Sequence, residues 1–138
     1  MFKLDKKLQE DSFYLGDLDL SMALLMNDAN YPWIILVPKK PNLKDIVDLE
    51  FNEQIVLLKE INFISKILKQ EFSCDKLNIA NLGNVVSQLH IHIIVRTQND
   101  KTFPKPVWGN AEIVKYCGEN LAKILEKLQN KIQKYHES

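Results

Sequence analysis

Gln88-Leu89-His90-Ile91-His92-Ile93-Ile94-Val95 alternates polar and apolar side chains with a period of two. That is the pattern of a half-buried β-strand, expected here over 86–95. Gln88, His90, His92 and Ile94 fall on one face, and Leu89, Ile91, Ile93 and Val95 on the other. Two imidazoles and an amide are thus set side by side on a rigid element, which holds reacting groups more firmly than a loop does. The chain has three histidines, and two of them stand in this run.

Working outward, a tight turn at Gly83-Asn84 and a strand over 77–82 precede the histidine strand. A loop with Pro104, Pro106 and Gly109 follows it over 96–110. The last element reads as a helix over 111–135, with Val114, Cys117, Leu121, Ile124, Leu125, Leu128 and Ile132 on one stripe. Further upstream, Ile55, Leu58, Phe63, Ile67 and Leu68 mark a major helix over 48–72, with Asn42 or Asp45 as its cap. Residues 33–37 form an apolar strand closed by Pro38. Residues 13–27 read as strand material turning at Gly16-Asp17, and 27–32 as a turn-rich loop. A short amphipathic helix is expected over 2–11. The order of elements implies an α+β fold: an antiparallel sheet of about five strands with helices packed on one side. Leu89, Ile91, Ile93 and Val95 would face the helices, leaving the Gln88–His90–His92 face open to a ligand.

The 138 residues suit one domain spanning 1–138 with one core, and no repeat or linker interrupts them. Formal net charge is zero, so neither a nucleic-acid footprint nor a polybasic membrane patch is expected. The basic residues are 17 lysines and a single arginine, Arg96, one residue past the histidine strand. Cys74 and Cys117 are isolated, which fits reduced thiols. There is no signal-peptide h-region and no apolar run of the ~20 residues that a membrane helix needs. A cytoplasmic protein is expected. His-x-His on a strand also presents two imidazoles to a metal, but a third ligand would be required. His136 sits in the tail, and no cysteine or carboxylate lies near in sequence, so no metal site is expected.

The residues around this strand resemble the histidine triad (HIT) family, whose signature is His-φ-His-φ-His-φ-φ with φ apolar. Asn81-Leu82-Gly83-Asn84-Val85-Val86-Ser87-Gln88-Leu89-His90-Ile91-His92 follows the family's strand, glycine turn and triad strand. The glycine loop is shortened, Asn84 stands where glutamine is usual, and Gln88 takes the first triad position. Leu25-Met26-Asn27 and Ile34-Ile35-Leu36-Val37-Pro38-Lys39 resemble the paired strands beside the nucleotide site. Phe103-Pro104-Lys105-Pro106-Val107-Trp108-Gly109 resembles a bacterial, diadenosine-tetraphosphate-hydrolase-like branch that carries Gln-x-His-x-His. The resemblance covers roughly residues 13–96.

What the resemblance implies is a HIT-like fold and a nucleotide hydrolase or transferase acting at the α-phosphorus. His90, in the middle position, would be the nucleophile that forms a nucleotidyl-imidazole. One ring nitrogen must then be free and unprotonated while the other donates to an acceptor, in this family the backbone carbonyl of the first triad position. His92 would stabilise charge on the phosphoryl group. Gln88 can offer only neutral hydrogen bonds, and no histidine stands near Trp33-Ile34, where some relatives have a fourth. Phosphoanhydrides such as dinucleoside polyphosphates are therefore expected over phosphoramidates. The alternative is a nucleotide-binding module with little or no catalysis. Asn27 matches a position near ribose or base, Asn81 and Asn84 would lie by the phosphates, and Trp108 would lie over the pocket or at a dimer seam. Arg96 has two readings, a phosphate ligand or a salt-bridged strand end. No cofactor is required, Mg²⁺ is expected only in company with a polyphosphate substrate, and a homodimer is the family's usual state.

Overall fold

In the computed structural model, which describes residues 1–137, five antiparallel strands form one sheet. They are β1 (Ser12–Asp17), β2 (Ser21–Met26), β3 (Trp33–Pro38), β4 (Lys76–Ala80) and β5 (Ile91–Arg96), in the order β1-β2-β3-β5-β4. The histidine strand is therefore next to one edge, flanked by β3 and β4. Its register pairs Ile35 with His92 and Trp33 with Ile94. α2 (Phe51–Glu71) and α3 (Gly118–Gln133) cover one sheet face. Leu57, Ile64 and Leu68 from α2 and Leu128 and Ile132 from α3 pack on Leu25, Ile34, Leu36, Ile91, Ile93 and Val95. Each such fully buried side chain contributes roughly 1.5–3 kcal/mol of transfer free energy. The expected α+β architecture is present, and the strand alternation sorts side chains between two cores.

The second core lies on the other face. Leu24, Trp33, Ile35, Val37 and Ile94 point into it, and Leu8, Val86 and Val107 cover them. Leu8 belongs to α1 (Lys6–Glu10), so this short helix packs opposite α2 and α3 rather than beside them. Among the described residues no helix is long and apolar enough to cross a membrane.

Several boundaries differ from the sequence reading, each for a tertiary reason. Gly16 is inside β1, at a bulge in the β1–β2 register, rather than in a turn. Its φ is +151°, and a Cβ there would meet Ile132 Cγ2 at 3.0 Å, so glycine is what lets α3 approach the strand. The turn falls at 18–20, where the buried Glu60 carboxylate accepts from the N–H groups of Leu20 (2.6 Å) and Ser21 (3.1 Å). Burial pushes Glu60 above the ordinary carboxylate range despite these bonds. Asp45 closes a capping box on a 3-10 turn (Ile46–Asp48), while α2 starts with its own box between Glu50 and Glu53. The ladder of β5 begins only at Ile91, because the Leu89 N–H donates to Leu43 O in a loop (2.9 Å) instead of to a strand. The final helix begins at Gly118, not at 111. The preceding segment is held extended along the loop after β2, with Ala29 N–H on Val114 O (2.6 Å) and Tyr116 N–H on the Asn27 side-chain oxygen (2.9 Å).

Candidate active site

His90 and His92 project from β5 and the residue before it onto the face of the second core. They line a cavity of about 330 Å³. Both are nearly covered, at 5% and 6% exposure. Their rings meet edge to face, with centroids 4.8 Å apart. Trp33 and Ile35 from β3 form the floor, Val107 and Trp108 one wall, and α1 with its C-cap residue another, through Lys7, Leu8 and Asp11.

The protonation of each histidine follows from its partner. His90 Nδ1 lies 2.7 Å from the backbone carbonyl oxygen of Gln88. A carbonyl can only accept, so Nδ1 carries the proton, and in the neutral ring Nε2 holds the lone pair. Nε2 makes no hydrogen bond to any described residue. In His92 the assignment is reversed. The Trp33 indole N–H donates to His92 Nδ1 at 3.0 Å. An indole nitrogen can only donate, so Nδ1 is the acceptor and the neutral ring bears its proton on Nε2. Burial first, and the neighbouring His90 second, push His92 down to about 3, so it stays neutral across the physiological range. The site thus pairs one imidazole presenting a lone pair with one presenting an N–H.

The structure places the other sequence-selected residues as follows. Trp108 is in the cavity wall, 5.0 Å from the His92 ring and 5.7 Å from that of Trp33, edge to face in both cases. Gln88 contributes its backbone to His90, but its side chain turns away to the N-terminal segment, where Oε1 accepts from Asp5 N–H and Nε2 donates to Lys3 O, both at 2.8 Å. Asn27 anchors Tyr116, and neither it nor Asn81 nor Asn84 is among the residues lining the cavity. Gly83, between the last two, is in the wall.

Arg96 is apart from the cavity, 1% exposed, and of its two readings the salt-bridged one describes its contacts. Its Nε donates to Asp100 (2.8 Å), and its terminal nitrogens reach Asn78, Asp100, Thr102 and the carbonyl of Lys105. Tyr31 and Phe103 sandwich the guanidinium at 5.4 and 5.6 Å. Burial opposes ionisation of Asp100, but Arg96 and the N–H groups of Thr97, Phe103 and Thr102 hold it down at about 2. Arg96 therefore fixes the loop that delivers Val107 and Trp108 to the cavity.

Four polar or aromatic lining residues, Trp33, Asp28, Lys7 and Asp11, were not selected from the sequence. Trp33 was read only as strand, since a tryptophan on an apolar strand carries no sign of a polar duty. Asp28, 4% exposed, lies one residue beyond Asn27 and lines the cavity. Its Oδ1 accepts from the N–H of Asn30 (3.0 Å) and of Val114 (3.4 Å). Burial and the nearby Asp28 charge push Tyr116 up to about 12. Lys7 and Asp11 stand about 80 residues before the histidines, too far for any local pattern to join them. Among the described residues no group of three or more His, Cys, Asp or Glu side chains is placed to hold a metal ion.

The chain matches known proteins over most of its length. A family model described as "HIT domain" matches residues 7–99. A histidine triad protein of Marinobacter aquaeolei is 41% identical, with a TM-score of 0.94 over 98% of each chain. One from Bradyrhizobium japonicum is 44% identical, with a TM-score of 0.92 over 95% of this chain and 98% of that one. One from Sinorhizobium meliloti is 35% identical, with a TM-score of 0.90 over 95% and 97% respectively. No curated protein matches the chain.

Proposed function

This chain belongs to the histidine triad (HIT) family, and from that premise we propose that it is a nucleotide hydrolase or transferase working at an α-phosphorus through His90. The observation that carries the proposal is the 2.7 Å bond between His90 Nδ1 and the Gln88 carbonyl. It is made by backbone, so it survives the replacement of the first triad histidine by glutamine. It leaves Nε2 as the nucleophilic nitrogen in a cavity wall.

In the proposed first step the Nε2–phosphorus bond forms, and the bond from phosphorus to the leaving oxygen breaks, its electron pair departing with that oxygen. The positive charge gained by the imidazole is shared with the Gln88 carbonyl through Nδ1–H. The His92 Nε2–H donates to a phosphoryl oxygen as its charge grows, and a placed donor of this kind contributes roughly 3–4 kcal/mol in a site shielded from water. Water then attacks phosphorus, the Nε2–phosphorus pair returns to His90, and the water's proton leaves to solvent. Asp28, with Oδ2 free of protein donors among the described residues, can accept from sugar hydroxyls. Trp108 offers a flat apolar surface to a base.

The proposed leaving group is a phosphate, as in a dinucleoside polyphosphate. His92 is held neutral and the Gln88 amide is engaged elsewhere, so neither is a ready acid for an amine. Mg²⁺ would enter only as the polyphosphate's counter-ion, and the proposed assembly is a homodimer. The rival reading, nucleotide binding with little turnover, is favoured by one feature: Gln88 brings no titratable group to the reacting centre.

Protein incubated with diadenosine tetraphosphate and with an adenosine phosphoramidate, quenched in alkaline denaturant because a nucleotidyl-histidine is acid-labile, and analysed by peptide mass spectrometry without acidification, tests the proposal. A nucleotidyl adduct on the peptide bearing His90, lost in His90→Ala together with turnover, is the expected result. Neither adduct nor turnover from any member of such a panel, with nucleotide still bound, would leave only the binding module. Gln88→His distinguishes the roles further, since a gain in rate would show that the first position limits catalysis.

A further inference from the structure

We infer that Lys7 is the cation that reads the phosphate chain of the bound nucleotide, and that Gln88 is the residue that positions it; this rests on the nucleotide reading above. Three of the residues lining the cavity carry a formal charge: Lys7, Asp11 and Asp28. A nucleoside diphosphate or polyphosphate brings several negative charges to a wall already holding two carboxylates. The one ammonium there is the group that can offset them. Lys7 Nζ lies 2.8 Å from Asp11 Oδ2, one helical turn away. An ammonium has three donors, so it can keep Asp11 and still donate to phosphoryl oxygens. Its side chain is 57% exposed and can be reached without unfolding anything. The hydrogen bond to Asp11 raises Lys7 above the ordinary lysine value, which keeps it charged at neutral pH.

Gln88 explains how this lysine is held 81 residues away in sequence. Its amide meets Lys3 O and Asp5 N–H, the outward carbonyl and amide of residues two apart. A neighbouring strand would bind that pair of groups in the same way. One planar amide supplies acceptor and donor side by side. The two nitrogens of an imidazole diverge, and protonation would remove the acceptor. Asp5, so fixed, caps α1 by accepting from the N–H groups of Lys7 (2.8 Å) and Leu8 (3.4 Å). Leu8 is buried against the second core. Glutamine at the first triad position thus carries a wall of the cavity.

Isothermal titration with adenosine, AMP and ADP, on the full chain and its variants, tests this. Lys7→Met is expected to weaken ADP binding about ten-fold and leave adenosine within about two-fold, while Lys7→Arg restores ADP to within about three-fold. Gln88→Leu should weaken ADP in the same sense, and the double variant should bind no more weakly than Lys7→Met alone. Hydrogen exchange gives a readout free of ligand: the Asp5 amide should exchange at least about ten-fold faster in Gln88→Leu, and in Gln88→Glu, which keeps the acceptor but loses the donor, by less. ADP binding by the unmodified chain that is indifferent to Lys7→Met overturns the role of Lys7 and leaves the proposed function standing. Unchanged Asp5 exchange in Gln88→Leu overturns the clamp. No binding of AMP or ADP by the unmodified chain overturns both this inference and the function it rests on.

Discussion

Lowering the pH should destabilise this protein through His92 by an amount set by its burial. Unfolded, the imidazole titrates near 6.5, whereas in the folded chain it is pushed down to about 3. The folded pKa lies below the unfolded one, so between these values the unfolded chain binds the extra proton. The stabilisation is complete above pH 6.5 and is lost as pH falls toward 3. At 6% exposure His92 needs no discount for solvent screening. The slope is about 1.4 kcal/mol per pH unit, so going from pH 7 to pH 4 removes roughly 3 kcal/mol. That is a large share of the roughly 5–15 kcal/mol of an ordinary domain. Urea unfolding of the wild type and of His92→Gln at pH 7, 6, 5 and 4 isolates this contribution, because carboxylates that titrate in both proteins cancel in the difference. The wild-type curve should fall more steeply below pH 6.5, and the variant's relative stability should improve as the pH drops. Parallel curves would refute both the burial argument and the assignment of His92 as a neutral Nε2–H donor.

Trp33→Phe should leave His92 Nδ1 a buried acceptor without a donor, costing roughly 1–3 kcal/mol of stability; nitrogen-15 NMR of the ring should show His92 titrating at higher pH, and an unmoved titration would remove Trp33 from its role. Arg96→Met removes the cation from Asp100, leaving its carboxylate only backbone N–H donors, and also removes the donor to Asn78, Thr102 and the Lys105 carbonyl, and should cost about 3–5 kcal/mol. Urea unfolding followed by tryptophan fluorescence checks it, and Arg96→Lys should recover little, because an ammonium cannot span the partners that a guanidinium fork reaches. Gly16→Val places a branched side chain where even a Cβ would sit 3.0 Å from Ile132, at a φ of +151°, and should cost about 2–4 kcal/mol by thermal unfolding. A loss below about 0.5 kcal/mol would mean that α3 can retreat from β1 freely.

The alternation from Gln88 to Val95 carried much of the fold and the centre of the site. Period two sends Leu89, Ile91, Ile93 and Val95 under α2 and α3, and His90 and His92 to the opposite face. The same stretch supplies the His90 contact, because a carbonyl two residues before the ring is a local feature. Elsewhere local pattern misled. Gly16 has the look of a turn glycine, but the turn is set by Glu60, 40 residues on. The apolar spacing of Val114 and Cys117 continues the helical stripe, yet the Asn27 and Ala29 contacts hold that segment extended.

The sequence alone therefore determined which side chains share a face, since that depends on backbone periodicity over a few residues, while the role expected of His90 came from the family resemblance. Only the tertiary structure decided what surrounds them. The Trp33 indole that orients His92 comes from a neighbouring strand, and Lys7 comes from a helix clamped by the Gln88 amide. The loop bearing Trp108 is folded around a buried Arg96. These are single hydrogen bonds between groups distant in the chain, and no repeat or period announces them. Whether a glutamine at 88 faces the cavity or the N-terminus depends on where Lys3 and Asp5 come to rest, more than 80 residues away in the chain.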